Sequence, residues 1–268
     1  MEALRNKARE LLAAKTVQLV IGYGRGSAGS SRAVFVRAAS QAEALVYDGT
    51  CLQNLAVYLM KPEVRKLGKA ALVATPSTLR AILQLAAENQ LSERDLLVLA
   101  VSPAGHEVVP LATFGAMEAH VAALDIDLSA GEKAELQKYK ALGLEQRRRF
   151  WEEQFSRCLK CYACRAACPL CYCSRCTVEC NQPQWIPVPA HGLGNLEWNV
   201  MRAMHLAGRC VNCGDCSRAC PVGIPLYLLN QELIREVADH FNFRSGTAAK
   251  ADNAMSTFKP NDAEDFIR

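Results

Sequence analysis

The chain has 268 residues, half of them hydrophobic, and its 31 basic and 27 acidic side chains leave a formal charge of only +4. That length suits two domains, since domains mode near ~100–150 residues, and the apolar share is ample for a core. The mild charge argues against a nucleic-acid partner, and no stretch approaches the ~18–20 uninterrupted apolar residues of a spanning helix, so direct membrane insertion is not expected.

Residues 2–14 read as an amphipathic helix, and the opening MEALRNKARELL has no apolar signal region or small-residue cleavage site, which predicts a reducing, cytoplasmic setting. Strands follow at 17–23 (VQLVIGY), 32–37 (RAVFVR) and 43–48 (EALVYD), then a helix over 52–59 and a strand at 69–74 (KAALVA). Thr78 to Asn89 reads as a strong helix with Leu79, Ile82, Leu83 and Ala86 on one face, and DLLVLAVS at 95–102 as a further strand. Alternating strands and helices imply an α/β domain with a mixed or partly parallel sheet and flanking helices.

Two segments in this half invite a ligand. GYGRGS places Gly22, Gly24 and Gly26 after a strand, but SAGSSRAVFVR follows where a dinucleotide fingerprint needs a helix, so a hairpin is the expected reading and a flavin phosphate the candidate if anything binds. In ATPSTLRAIL, Thr75 or Ser77 caps a helix whose amino terminus faces the carboxyl edge of a strand, a place where anions gather, although a plain capped helix satisfies the same residues. Cys51 stands apart from the other cysteines and reads more readily as a small buried apolar residue than as a reactive thiol.

From about residue 130 the composition turns charged and helical, and KYKALGLEQRRRF reads as a solvated helix face. Beyond it, CLKCYACRAACP holds Cys158, Cys161, Cys164 and Cys168 before Pro169, and CVNCGDCSRACP holds Cys210, Cys213, Cys216 and Cys220 before Pro221. This C-x2-C-x2-C-x3-C-P spacing is that of 4Fe–4S ligation, in which the fourth cysteine serves the other cluster. By that logic Cys158, Cys161, Cys164 and Cys220 hold one cluster, and Cys210, Cys213, Cys216 and Cys168 the second. Disulfides conflict with a reducing compartment, and structural zinc sites come as spaced cysteine pairs rather than as runs ending in proline. Between the runs lie Cys171, Cys173, Cys176 and Cys180, which suit a third 4Fe–4S cluster, a tetrahedral zinc, or a partial site that lends thiols to the main clusters. Lys160, Arg165, Arg175, Arg209 and Arg218 offset the negative charge of such groups, Trp151, Trp185 and Trp198 are expected to shield them from water, and His191 and His205 to serve packing.

On these motifs, Phe155 to Val237 resembles the α-helical dicluster ferredoxin domains of electron-transfer subunits in heterodisulfide reductase, succinate dehydrogenase and anaerobic glycerol-3-phosphate dehydrogenase. NLEWNVMRAMHLAGRC before the second run carries Leu196, Val200, Met204 and Leu206 at helical spacing, and IPLYLLNQELIREVADHF after it carries Leu226, Leu229, Leu233 and Val237. YDGTCLQNLAVYL, KAALVATPSTLRAILQLAAENQ and DLLVLAVSP are similar to the β-subunit-like proteins of deazaflavin-reducing hydrogenases and formate dehydrogenases, and that resemblance implies FAD in the first domain.

The expected organisation is an α/β domain at 1–130, a linker helix at 131–154, an α-helical ferredoxin-like domain at 155–242 with a cysteine-rich insertion at 169–182, and an extended tail or partner-binding arm at 243–268. With no Ser/His/Asp set, Walker loop or metal-hydrolase motif, no catalytic residue is assigned. The resemblances imply an iron–sulfur subunit of an anaerobic oxidoreductase complex. It would relay electrons between a catalytic subunit and a second redox protein in a hetero-oligomer. The alternative is a flavin-containing subunit that passes electrons from its clusters to a deazaflavin or NAD.

Overall fold

The runs AALVA and LLVLAV contain no polar side chain and are buried along their whole length, the pattern of strands covered on both faces. They are the third and fourth strands of the sheet seen in the computed structural model, which describes residues 1–102, 107–124, 128–176, 183 and 185–250. The strands among these residues are β1 (Leu19–Arg25), β2 (Ser31–Val36), β3 (Ala70–Ala74), β4 (Leu96–Val101) and β5 (Val108–Leu111), in the order β2-β1-β3-β4-β5. β1, β3 and β4 run parallel, and β2 and β5 close the two edges antiparallel, so the sheet is mixed as expected.

Four helices accompany the sheet among the described residues: α1 (Glu2–Ala13), α2 (Pro62–Arg65), α3 (Pro76–Ala87) and α4 (Phe114–Ala122). α1 buries Leu4, Ala8 and Leu11, one face of a 3.6-residue period. α3 starts on Thr75, whose Oγ1 accepts from the Thr78 N–H, with Pro76 at the first helical position, and it packs on β3 and β4. The strand expected at 43–48 is instead a 3-10 turn over Ala39–Ala44 and a single bridge from Val46 to Tyr23. Just beyond it, Asp48 takes the Thr50 N–H and hydroxyl into its own carboxylate and turns the chain out of the ladder. The helix expected at 52–59 is a 3-10 segment, Leu55–Met60, capped by Asn54.

The sheet and these helices form one unit, Met1–Leu124, and residues 245–250 belong to it as well. Arg80 donates to the Ser245 carbonyl, Gln84 Oε1 accepts from the Gly246 N–H and Glu118 from the Ala249 N–H. Gly246 has φ +72°, and a Cβ there would stand 2.3 Å from the Arg80 carbonyl oxygen, so only glycine fits. The remaining residues of the stretch expected as a tail, 251–268, lie outside the described residues.

The second unit is helical: α5 (Ala130–Lys140), α6 (Leu144–Ser156), α7 (Ala163–Ala166), α8 (Gly192–Met204), α9 (Asp215–Arg218) and α10 (Leu226–Phe241). The span expected as one linker helix is two, broken before Gly143, and both pack into this unit. Tyr139, Trp151 and Phe155 from α5 and α6 meet Cys216, Ile224, Leu226 and Leu228 in its core. Trp151 stacks on Phe155 with ring centroids 5.1 Å apart, and its indole N–H donates to the Tyr139 hydroxyl at 2.9 Å. Arg148 and Arg149 pair with Glu145 along the surface of α6, as a solvated face does. None of the described helices is long and apolar enough to cross a membrane.

Candidate functional site

The two cysteine runs follow one backbone course. The second residue after the first cysteine is left-handed in both, Lys160 at φ +49° and Asn212 at φ +56°. So is the residue after the second cysteine, Tyr162 at +58° and Gly214 at +74°. A one-turn helix then carries the third cysteine of each run, α7 with Cys164 and α9 with Cys216, and these two turns pack on each other. The chain leaves each run by a tight turn, with Cys171 N–H donating to the Cys168 carbonyl and Gly223 N–H to that of Cys220. Left-handed backbone at a tyrosine costs on the order of 1–2 kcal/mol. It persists here with the Tyr162 ring edge-on to Trp198 at 4.7 Å.

This repeated course brings thiols together across the runs. Cys158, Cys161 and Cys164 line one pocket with Cys220 and Pro221. The free volume of this pocket is about 20 Å³. Cys168 lies close enough to Cys210, Cys213 and Cys216 to act electrostatically on all three. Burial pushes the Cys164 thiol up to about 11 and that of Cys210 up to about 12, and it raises Cys213 and Cys216 as well. The Cys171 thiol donates to the Cys168 sulfur and holds Cys168 below the ordinary thiol range. Backbone and amide N–H groups also reach sulfur: Lys160 N–H to Cys158 Sγ at 3.4 Å, Ile224 N–H to Cys220 Sγ at 3.4 Å, and Asn230 Nδ2 to Cys216 Sγ at 3.6 Å.

The wall of the site is α8, and the apolar spacing marks its buried face only in part: Leu196 packs against the core and Leu206, just past the helix, is buried. Val200 and Met204 are exposed, whereas Asn195, Trp198, Asn199 and Arg202 face inward. Asn195 donates from one amide nitrogen to the carbonyls of Phe155 and Cys158, both at 2.9 Å, and Arg202 donates to the Cys164 carbonyl at 2.9 Å. Asn195 and Arg202, seven residues apart on one helix face, thus tie α8 to the first cysteine run, and Asn199 between them donates to the Asn195 carbonyl. Burial opposes the Arg202 charge, but the facing thiols of Cys168, Cys171, Cys164 and Cys216 outweigh it and hold the guanidinium firmly protonated. Arg202 and both asparagines escaped the sequence reading because polar residues on a surface-length helix are expected outside; their i, i+4, i+7 spacing just ahead of the second run was the available signal.

The other singled-out residues divide. Lys160 is buried and its ammonium donates to the Pro187 carbonyl. Arg165 donates to the Cys173 carbonyl, and Arg218 to Asp215 and to the Cys213 carbonyl. His191 caps α8, accepting the Gly194 N–H on Nδ1. Trp151 and Trp198 are buried, whereas Trp185 is 77% exposed. Cys51 is buried and burial raises its thiol, which fits an apolar packing role. Gly22 and Gly24 lie inside β1, where a Cβ would come within 2.5 Å of the Leu45 and Val34 side chains respectively, so these glycines are spent on packing and form no phosphate cradle. Cys180 lies outside the described residues.

All described cysteines are free thiols. Among the described residues, no three His, Cys, Asp or Glu side chains converge as a single ion requires. Soft thiol donors repeated on two equivalent loops are a set that suits iron–sulfur groups.

No family model matches the chain. A 97-residue stretch is 33% identical to the F420-dependent formate dehydrogenase subunit beta of Methanocaldococcus jannaschii, covering 36% of this chain and 25% of that one. A 105-residue stretch is 29% identical to the F420-dependent formate dehydrogenase 1 subunit beta of Methanococcus maripaludis, covering 39% of this chain and 26% of the relative. The match thus spans about a quarter of the length of these curated relatives.

Proposed function

We propose that the chain is an electron-transfer subunit of an oxidoreductase complex and carries two 4Fe–4S clusters. One would be held by Cys158, Cys161, Cys164 and Cys220, the other by Cys210, Cys213, Cys216 and Cys168. The observation that carries this reading is the shared pocket of Cys220 with the three leading cysteines of the other run. That is the crossing two-cluster ferredoxins use.

Bound clusters supply one-electron transfer. The chain's own residues do the rest. N–H donors at Cys158, Cys216 and Cys220 withdraw charge from sulfur, and Arg202 adds a buried cation; both favour the more negative, reduced state. Trp151, Phe155, Ile224 and Trp198 are buried in the same unit, while Cys161 stays exposed to solvent. The relatives are subunits of formate dehydrogenases by name, which supports a hetero-oligomer with a catalytic subunit and a second redox protein. Low-temperature paramagnetic resonance of the anaerobically purified, dithionite-reduced chain is expected to show two interacting reduced clusters; a silent spectrum from iron-loaded protein rejects the reading.

The F420 dependence in the relatives' names favours a second reading, in which the chain also holds a flavin and reduces a soluble acceptor. It predicts a flavin band in the acid-released cofactor, and the packed glycines of β1 do not furnish its phosphate site.

A further inference from the structure

The insertion between the runs borders a cavity of about 300 Å³, lined by Cys171, Cys173 and Cys176 and by Arg165, Arg202 and Arg209, with Leu170, Trp198 and Leu206 as its apolar wall. From this cavity we infer a third cofactor site, one that takes a polynuclear iron–sulfur cluster rather than zinc. The inference rests on the two-cluster reading only in assuming that the chain is iron-loaded.

Four features carry it. The thiols open onto existing space, whereas zinc bonded to sulfur at about 2.3 Å draws its ligands onto one point and leaves no such volume. Among the described residues no three ligating side chains converge in that way. The arginines come from three separate places, α7, α8 and the turn after α8, and two of them fasten the insertion by its backbone: Arg165 donates to the Cys173 carbonyl at 2.9 Å and Arg209 to the Leu170 carbonyl at 3.1 Å. The Arg209 guanidinium also lies over the Tyr172 ring, 5.3 Å from its centroid. Arg202, only 5% exposed, is the decisive group. One of its nitrogens serves the Cys164 carbonyl, but its buried Nε has no partner among the described residues. A buried, charged donor left without an acceptor is costly, and an anionic group ligated by thiolates in the adjoining cavity would provide the acceptor.

The test is metal and sulfide analysis of the full chain, purified without oxygen. Four irons per cubane predict about twelve iron atoms per chain, falling to about eight when Cys171, Cys173 and Cys176 are replaced together by serine. About eight irons with one zinc overturns the inference, as does a count of eight that the triple variant leaves unchanged. Should the triple variant fold poorly, Cys173→Ser alone suffices, because that side chain is exposed. It is expected to keep the resonance signals of the other two clusters while iron drops by up to about four, and undiminished iron in it overturns the site. Loss of the two-cluster signals in the unmodified chain, with extra iron retained, would instead strike at the proposed function and leave this site standing.

Discussion

The two units of the chain hold themselves together differently. In the sheet unit, stability lies mainly in apolar side chains: β3 and β4 are buried end to end, and α3 buries Leu79, Ala81, Ile82, Leu83, Leu85 and Ala86. In the helical unit the apolar core is a small cluster around Trp151 and Phe155, and the cysteine loops are tied down by polar groups, Asn195, Arg202, Arg165 and Arg209. On the proposed two-cluster reading these loops wrap around cofactors rather than close on hydrophobic surface, and their order is expected to depend on what the thiols bind.

The largest contrast is expected on anaerobic removal of iron. Amide exchange protection should vanish across the cysteine runs and α8 while β3 and β4 stay protected; equal loss in both units would erase the distinction. Next comes the crossing inside the helical unit. Cys220→Ser should abolish the same cluster signal as Cys158→Ser, and Cys168→Ser the same one as Cys210→Ser, as read by resonance and iron analysis. Pairing within each run instead would undo the proposed ligand sets. Smaller again, Leu72→Ala, at a fully buried position of β3, should cost about 2–5 kcal/mol of the sheet unit's stability by denaturant titration, with iron content unchanged. Smallest, Gly24→Ala forces a methyl within 2.5 Å of Val34 and should cost about 1–3 kcal/mol in the same titration, again without touching iron.

The contrast also explains what the sequence made legible. Unbroken apolar runs announce covered strands, so β3, β4 and α3 stand within a residue or two of where periodicity puts them. The segment at 43–48 looked equally strand-like, but local side-chain bonds at Asp48 decided it. In the helical unit the cysteine spacing is readable because ligand geometry imposes it on the chain. The supporting wall was opaque for the opposite reason. Asn195, Asn199 and Arg202 are buried against backbone carbonyls, a role that hydrophobic patterning assigns to the wrong side of the helix. The glycines of GYGRGS read as a hairpin for want of a following helix, and β1 and β2 do pair antiparallel across them.

The strap formed by residues 245–250 has a consequence for how the protein is made. The ribosome delivers Arg80, Gln84 and Glu118 long before residues 245–249, which bond to them, with the whole cysteine-rich stretch emerging in between. The bonds that fasten the returning segment to α3 and α4 can therefore form only after the second unit has been synthesised, and a product truncated near residue 124 would lack all three of them.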